Sequence, residues 1–176
     1  MIIVMGLPGA GKTTVLKGLK TGYRIQNYGD LMFEIEKEKF GVKNRDDMRK
    51  LVIEKQKEAQ RMVYERLAKE KGRFILDTHC SVNTPQGFFP GVPFEYLKML
   101  KVDTLVLITA DPKEVAARRE SDPTRKRDAD DIALHDQMNK SFLAAYSAFT
   151  GAPAIVIMNR QGKAEEAVVK LQALLK

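Results

Sequence analysis

The run Gly6-Leu7-Pro8-Gly9-Ala10-Gly11-Lys12-Thr13-Thr14 follows directly on the apolar stretch Met1-Ile2-Ile3-Val4-Met5, and that juxtaposition restricts the fold more than any other feature of the chain. It satisfies G-x-x-x-x-G-K-[ST], a pattern that functions when a strand feeds a tight loop and the loop opens a helix. Glycines at 6, 9 and 11 permit backbone conformations that a Cβ obstructs, so successive N–H groups can turn toward phosphate oxygens. Lys12 then brings a point charge to the β- and γ-phosphates, and Thr13 offers a hydroxyl to Mg2+. The helix that begins near residue 12 aims its positive end at the same anion.

Five short apolar segments, at 2–5, 23–28, 74–77, 104–109 and 154–158, alternate with helical patterns. Such alternation predicts an α/β fold, a parallel sheet covered by helices with right-handed crossovers. Helices are expected at about 12–20, 30–40, 45–71, 94–100, 112–120, 129–149 and 163–175, with Gly41, Gly72 and Gly151 as C-terminal stops and Asp111-Pro112 as a start. Two stretches break the pattern. Residues 79–93 carry neither helix nor strand character, and a long loop at the carboxyl end of a strand lies where open parallel sheets bind ligands. Residues 120–129, rich in arginine and set between two helices, have the length of a small lid.

At 176 residues the chain suits one buried core and is too short for two ordinary domains. No apolar run approaches the ~18 residues that span a bilayer, and the five-residue N-terminal run is too short for an export signal. Cys80 is the sole cysteine, so an intrachain disulfide is excluded and the expected compartment is the cytoplasm. The net charge of +7 fits polyanionic ligands, nucleotides and RNA alike. Between residues 34 and 73 acidic and basic residues interleave as on a solvated helix face, whereas Arg118, Arg119, Arg125, Lys126 and Arg127 crowd one short segment.

Asp77 closes the apolar strand Phe74-Ile75-Leu76, the place of an acidic residue that helps hold Mg2+ through water, or of a base that deprotonates an acceptor hydroxyl. An acceptor that is already a phosphate anion needs no base. Arg45 and Arg49 fall four apart on one helix face, where they either grip a second phosphate or pair with Asp46 and Asp47 at a solvated surface. Arg119, Arg125 and Arg127 are suited to the charge that a phosphoryl-transfer transition state spreads over its oxygens. His79, Cys80 and His135 have no partners at metal-ligand spacing. His135 reads as structural and Cys80 as incidental.

The phosphate loop, Asp77-Thr78-His79, Pro90-Gly91-Val92-Pro93, Thr124-Arg125-Lys126-Arg127-Asp128 and Asn159-Arg160 occur in this order, and with them the chain closely resembles the archaeal adenylate kinases over almost its whole length. The resemblance implies a P-loop kinase fold with a five-stranded parallel sheet in order 2-3-1-4-5. It also implies an AMP-binding segment at about 28–60 and a short lid near 120–130. The implied reaction is ATP plus AMP to two ADP with Mg2+. In that frame Gly6 to Thr14 hold the donor phosphates, and Asn159 and Arg160 lie against the ATP base. Gly29, Arg45, Arg49, Thr78, His79 and Gly91 face AMP. Lys12, Arg119, Arg125 and Arg127 neutralise the transferring group, Thr13 and Asp77 serve the metal, and the choice between Arg118 and Arg119 stays open. Many relatives are trimers, which implies a homo-oligomer. No membrane and no specific nucleic acid is expected as a partner.

Two positions depart from related patterns. Phe33 stands where bacterial-type enzymes carry an arginine for the AMP phosphate, which leaves that work to Arg45 and Arg49. Lys140 stands where archaeal relatives tend to carry Arg; it keeps the charge without the bidentate fork and is not counted among the site residues. The rival functions are a kinase for CMP or UMP, a P-loop ATPase acting on RNA or in ribosome assembly, and a nucleotide-binding module without turnover.

Overall fold

The computed structural model describes residues 1–48, 50–120 and 131–175. Ile2–Gly6 (β1) leads through the phosphate loop into Lys12–Lys17 (α1), and Arg24–Asn27 (β2) passes at once into Tyr28–Phe40 (α2). Arg45–Met48 (α3) and Ile53–Lys69 (α4) precede Phe74–Asp77 (β3). A hairpin of Ser81–Thr84 (β4) and Gly87–Pro90 (β5) and the short helix Phe94–Leu97 (α5) lead to Thr104–Thr109 (β6). Pro112–Glu120 (α6), Ile132–Thr150 (α7), Ala154–Met158 (β7) and Ala164–Gln172 (α8) follow.

Five of these strands form one sheet in the order β2-β3-β1-β6-β7, all of its pairs parallel. This is the expected order 2-3-1-4-5 once the hairpin strands are left uncounted. Strand β1 is central and every one of its residues is buried, because parallel sheets are covered on both faces. Its alternate side chains feed two cores. Ile3 and Met5 join Leu76, Leu105 and Leu107 beneath α2, α4 and α7, while Ile2 and Val4 join Ile75, Val106 and Ile108 beneath α1 and α8. The carboxyl ends of β1, β2 and β3 therefore open side by side.

Three local expectations are corrected. The segment expected as one helix over 45–71 is two: Val52 is extended (φ −61°, ψ 149°), and the Gln56 side-chain amide donates to the carbonyl of Leu51 at 2.9 Å, satisfying a group that a continuous helix would have used. Tyr28, expected to end a strand, begins α2, because the Asn27 side chain accepts from the Asp30 N–H and caps the helix. Residues 79–93 are not featureless; Val82 pairs with Phe89 and Thr84 with Gly87 in an antiparallel hairpin. Gly87 adopts φ 117° at its turn, a conformation that side chains other than glycine rarely take.

Candidate active site

The phosphate loop is shaped by close approaches that exclude side chains. A Cβ on Gly6 would overlap the carbonyl of Ile108, and one on Gly11 (φ 84°) would overlap the side-chain amide of Asn159. Gly11 is the residue before α1, so the loop delivers Lys12 and Thr13 onto the first turn of a helix that carries no acidic residue there. That helix end repels no anion.

A cavity of about 450 Å³ opens over this loop. Leu7, Pro8, Gly9, Gly11, Lys12 and Thr13 line one side; Asn27, Tyr28, Gly29 and Arg45 line another; Asp77, Thr78, His79 and Arg118 complete it. A second hollow of about 550 Å³ shares Thr13, Asn27, Arg45 and Asp77 with the first and adds Asp30. Most residues expected at a donor–acceptor site thus converge from β1, β2, α3 and β3.

Lys12 Nζ lies 3.4 Å from Asp77 Oδ1, both side chains about nine-tenths buried (12% and 11% exposed). Asp77 Oδ2 accepts from Asn27 Nδ2 at 2.8 Å, while Oδ1 and the neighbouring Thr78 hydroxyl are buried without a hydrogen-bond partner. Hard oxygen ligands facing a phosphate loop, one of them an orphaned carboxylate oxygen, fit a hydrated divalent cation. Arg45 pairs with Asp30 rather than with Asp46 or Asp47, and Asp47 pairs with Lys50 at 3.1 Å. Both Arg45 and Asp30 are exposed, so this ion pair yields readily to a better anion.

Arg118 and Arg119 both hold the phosphate loop. The Arg118 guanidinium donates to the Gly9 carbonyl at 3.3 Å and to Gln161 Oε1 at 2.9 Å, and Glu114 accepts from it at 3.1 Å. Arg119 Nε donates to the Pro8 carbonyl at 3.1 Å. Arg118 rather than Arg119 lines the cavity; the sequence leaves the choice between them open. Arg49, Arg125 and Arg127 lie outside the described residues.

Other expected residues stand away from the cavity wall. Asn159 is buried, and its amide donates to the Ala10 carbonyl at 2.8 Å; it supports the loop from behind. Arg160 is exposed beside it. Gly91 donates its N–H to the Cys80 carbonyl at 2.9 Å, and a Cβ there would overlap the His79 carbonyl, so its need for glycine is a matter of packing. Cys80 is buried, with its thiol donating to the Asn139 carbonyl at 3.2 Å. The Ser81 hydroxyl donates to Asn139 Oδ1 at 2.7 Å, and the buried His135 ring tilts against Phe88 with centroids 5.0 Å apart. These contacts dock the hairpin on α7. Lys140 is engaged by Asp136 at 2.6 Å, which also accepts from the Thr109 hydroxyl.

Sequence reasoning passes over Asn27 and holds Tyr28 only as the start of the AMP-binding segment at about 28–60. The signal for Asn27 was its place as a helix-capping residue type at the end of a strand; nothing in the pattern revealed that its other end would meet Asp77.

Comparison with known proteins agrees with this geometry. The AAA domain family matches residues 5–134. The adenylate kinase of Methanopyrus kandleri is 46% identical across 96% of this chain and 93% of its own length. That of Methanothermobacter thermautotrophicus is 41% identical, with 99% and 98% covered, and that of Thermoplasma volcanium is 41% identical, also with 99% and 98% covered. Among solved structures, a shikimate kinase from Bacteroides thetaiotaomicron superposes with a TM-score of 0.56 at 17% identity over 99% of this chain and 97% of its own. A sugar kinase from Janibacter gives 0.53 at 15% identity, covering 98% and 91%. At such identities the likeness is one of fold, the P-loop kinase fold. The curated relatives, alike over nearly their full lengths, carry the family assignment: the chain belongs to the archaeal-type adenylate kinases.

Proposed function

We propose that the protein transfers a phosphoryl group reversibly from ATP to AMP, giving two ADP. The observation that carries this reading is the convergence of Lys12, Asp77 and Arg45 on one cavity, with a phosphate loop on one wall and an arginine from the segment after β2 on another. Residues 6–14 hold the donor phosphates through backbone N–H groups and Lys12. Residues 28–60, including Gly29, Arg45 and Arg49, together with Thr78, His79 and Gly91, hold AMP. Residues 120–130 form the lid, whose Arg125 and Arg127 join Arg119 on the transferring group, and Asn159 and Arg160 back the ATP base. The whole chain acts as one kinase domain.

Thr13 and Asp77, the latter through water, would hold Mg2+, which when bound neutralises phosphate charge and orients the nucleotide. The protein's own residues do the rest. AMP presents an ionised phosphate, so the site needs no base, and catalysis reduces to alignment and charge complementarity. Lys12 leaves the Asp77 carboxylate for phosphate oxygens, and Arg45 leaves Asp30 for the acceptor phosphate. Each exchange gives the cation a new anion: the Asp30 carboxylate is exposed and is released to water, and the buried Asp77 carboxylate, still held by Asn27 at 2.8 Å, would be compensated by the metal it helps to hold. Offering ATP with AMP, CMP, UMP or adenosine tests the reading: ADP formation with AMP and no phosphorylated adenosine is expected, and phosphorylation of adenosine with AMP inert overturns it.

Self-association is part of the proposal. Strand β7 is a sheet edge, and Val156 and Met158, in register with Leu107 and Thr109, are 49% and 41% exposed. An uncovered apolar edge supports burial against a second copy, and the resemblance to the archaeal enzymes, many of them trimers, favours a trimer. No helix among the described residues is long and apolar enough to cross a membrane, and a buried lone thiol accords with the cytoplasm. Light scattering of the protein and of Val156→Asp tests the assembly.

A further inference from the structure

We propose that Asn27 is a positioning residue that fixes the Asp77 carboxylate for the hydrated metal of the nucleotide while joining it to the helix on the acceptor side. The proposal rests on the metal role given to Asp77 above. Asn27 and Asp77 are register partners on the last rung of the β2–β3 pair, so their side chains leave the sheet next to each other. Asn27 Nδ2 donates to Asp77 Oδ2 at 2.8 Å, and Asn27 Oδ1 accepts from the Asp30 N–H at 3.2 Å. A carboxylate only accepts and a backbone N–H only donates, so the two partners leave the carboxamide a single orientation.

The residue type follows from having both partners at once. Capping α2 alone would be done equally well by asparagine, aspartate or serine. Aspartate would set a second carboxylate against Asp77, and a serine hydroxyl caps the helix without the second arm that meets Oδ2. With Oδ2 held by Asn27, Oδ1 is the oxygen left turned toward Lys12 at 3.4 Å and without a hydrogen-bond donor. Asn27 lines both hollows that flank this carboxylate. The helix it caps carries Asp30 in its first turn, and Asp30 is the partner of Arg45. One side chain therefore spans from the metal-side carboxylate to the element that holds the acceptor-side arginine.

Asn27→Ser separates the two functions of the side chain, since the cap survives and the bond to Asp77 does not. ATP binding is measured by calorimetry with Mg2+ and again in EDTA, for the wild type, Asn27→Ser and Asp77→Asn, alongside thermal unfolding. The ratio of the ATP dissociation constants in EDTA and in Mg2+ should fall about tenfold or more in Asn27→Ser, the size expected for losing a hydrogen bond to a charged group. The same ratio should fall in Asp77→Asn, with the EDTA affinity of Asn27→Ser near the wild-type value and its melting temperature lowered only by the few degrees that losing one buried hydrogen bond costs. A ratio that falls in Asp77→Asn and stays at the wild-type value in Asn27→Ser overturns the proposal alone. A ratio unmoved in Asp77→Asn overturns the metal role of Asp77 and the proposal with it. Because binding is read without turnover, inability of the wild type to phosphorylate AMP would count against the proposed reaction and not against this assignment.

Discussion

The side-chain amide of Asn159 donates to the carbonyl of Ala10 at 2.8 Å across 149 residues of sequence, which makes the end of β7 the rear support of the phosphate loop. Gly11 permits this approach, because any Cβ there would occupy the space of the Asn159 amide. Asn159→Ala leaves the buried Ala10 carbonyl without its donor, a loss of about 1–3 kcal/mol. The expected outcome is a several-fold rise in KM for ATP with a smaller change in KM for AMP. Equal KM values for ATP in wild type and variant would remove Asn159 from the support of the loop.

Lys12 and Asp77 form the most buried ion pair that links the loop to the sheet. Lys12→Ala removes the charge aimed at the transferred group, and kcat should fall by about a hundredfold or more while circular dichroism remains native. Near-normal turnover in a folded Lys12→Ala protein would contradict the role given to the phosphate loop.

How much of this was visible beforehand depends on the range of the interaction. The parallel sheet, the loop and the candidates Lys12, Asp77 and Arg45 rest on local patterns, a strand running into glycines or an acidic residue closing an apolar run, and these survive folding unchanged; the strand order came from the family resemblance alone. The hairpin at 81–90 was missed because its alternation is only four residues long on each side and is interrupted by polar Asn83, Thr84 and Gln86. The break between α3 and α4 was missed because no glycine or proline marks it; a side chain, Gln56, satisfies the freed carbonyl instead. The contacts Asn27–Asp77 and Asn159–Ala10 join segments 50 and 149 residues apart, and only the folded sheet places them together. The sequence places Asn159 at the nucleotide base; that its side-chain amide also supports the loop is visible only in the folded chain.

Gly91 offers a stability test of the hairpin base. Its N–H and the Tyr146 hydroxyl both donate to the Cys80 carbonyl, at 2.9 and 2.8 Å, and Gly91→Ala forces a Cβ into the His79 backbone. Overpacking of this kind costs about 1–3 kcal/mol, and the melting temperature should drop by roughly 2–4 °C for each of them in a chain of this size. An unchanged melting temperature would show that the backbone at His79 yields freely.

Burial, with a contribution from the Asp136 carboxylate, pushes the Cys80 thiol up to about 12. At pH 8 the folded protein then holds on the order of one thiolate in ten thousand at this position, so a thiol reagent should label native protein only as fast as it unfolds. Above about pH 9 the thiol of the unfolded chain loses its proton while the folded one keeps it. The unfolded state then binds fewer protons, and stability falls as pH rises toward 12. Desolvation raises Tyr28, Tyr64 and Tyr146 as well, which steepens the fall above about pH 10. Denaturant melts from pH 8 to 11 should show this decline, with a shallower slope between 9 and 10 in Cys80→Ser. Identical slopes would mean the thiol titrates alike in both states.

The most direct measurement supplies the protein with ADP and Mg2+ alone and follows the nucleotides by phosphorus NMR. A site that holds an adenine nucleotide on the phosphate loop and another beside Arg45 must run the reaction in reverse, so ATP and AMP should appear in equal amounts with no inorganic phosphate. Release of phosphate without ATP, or no conversion of ADP by protein that binds ATP, would contradict the account.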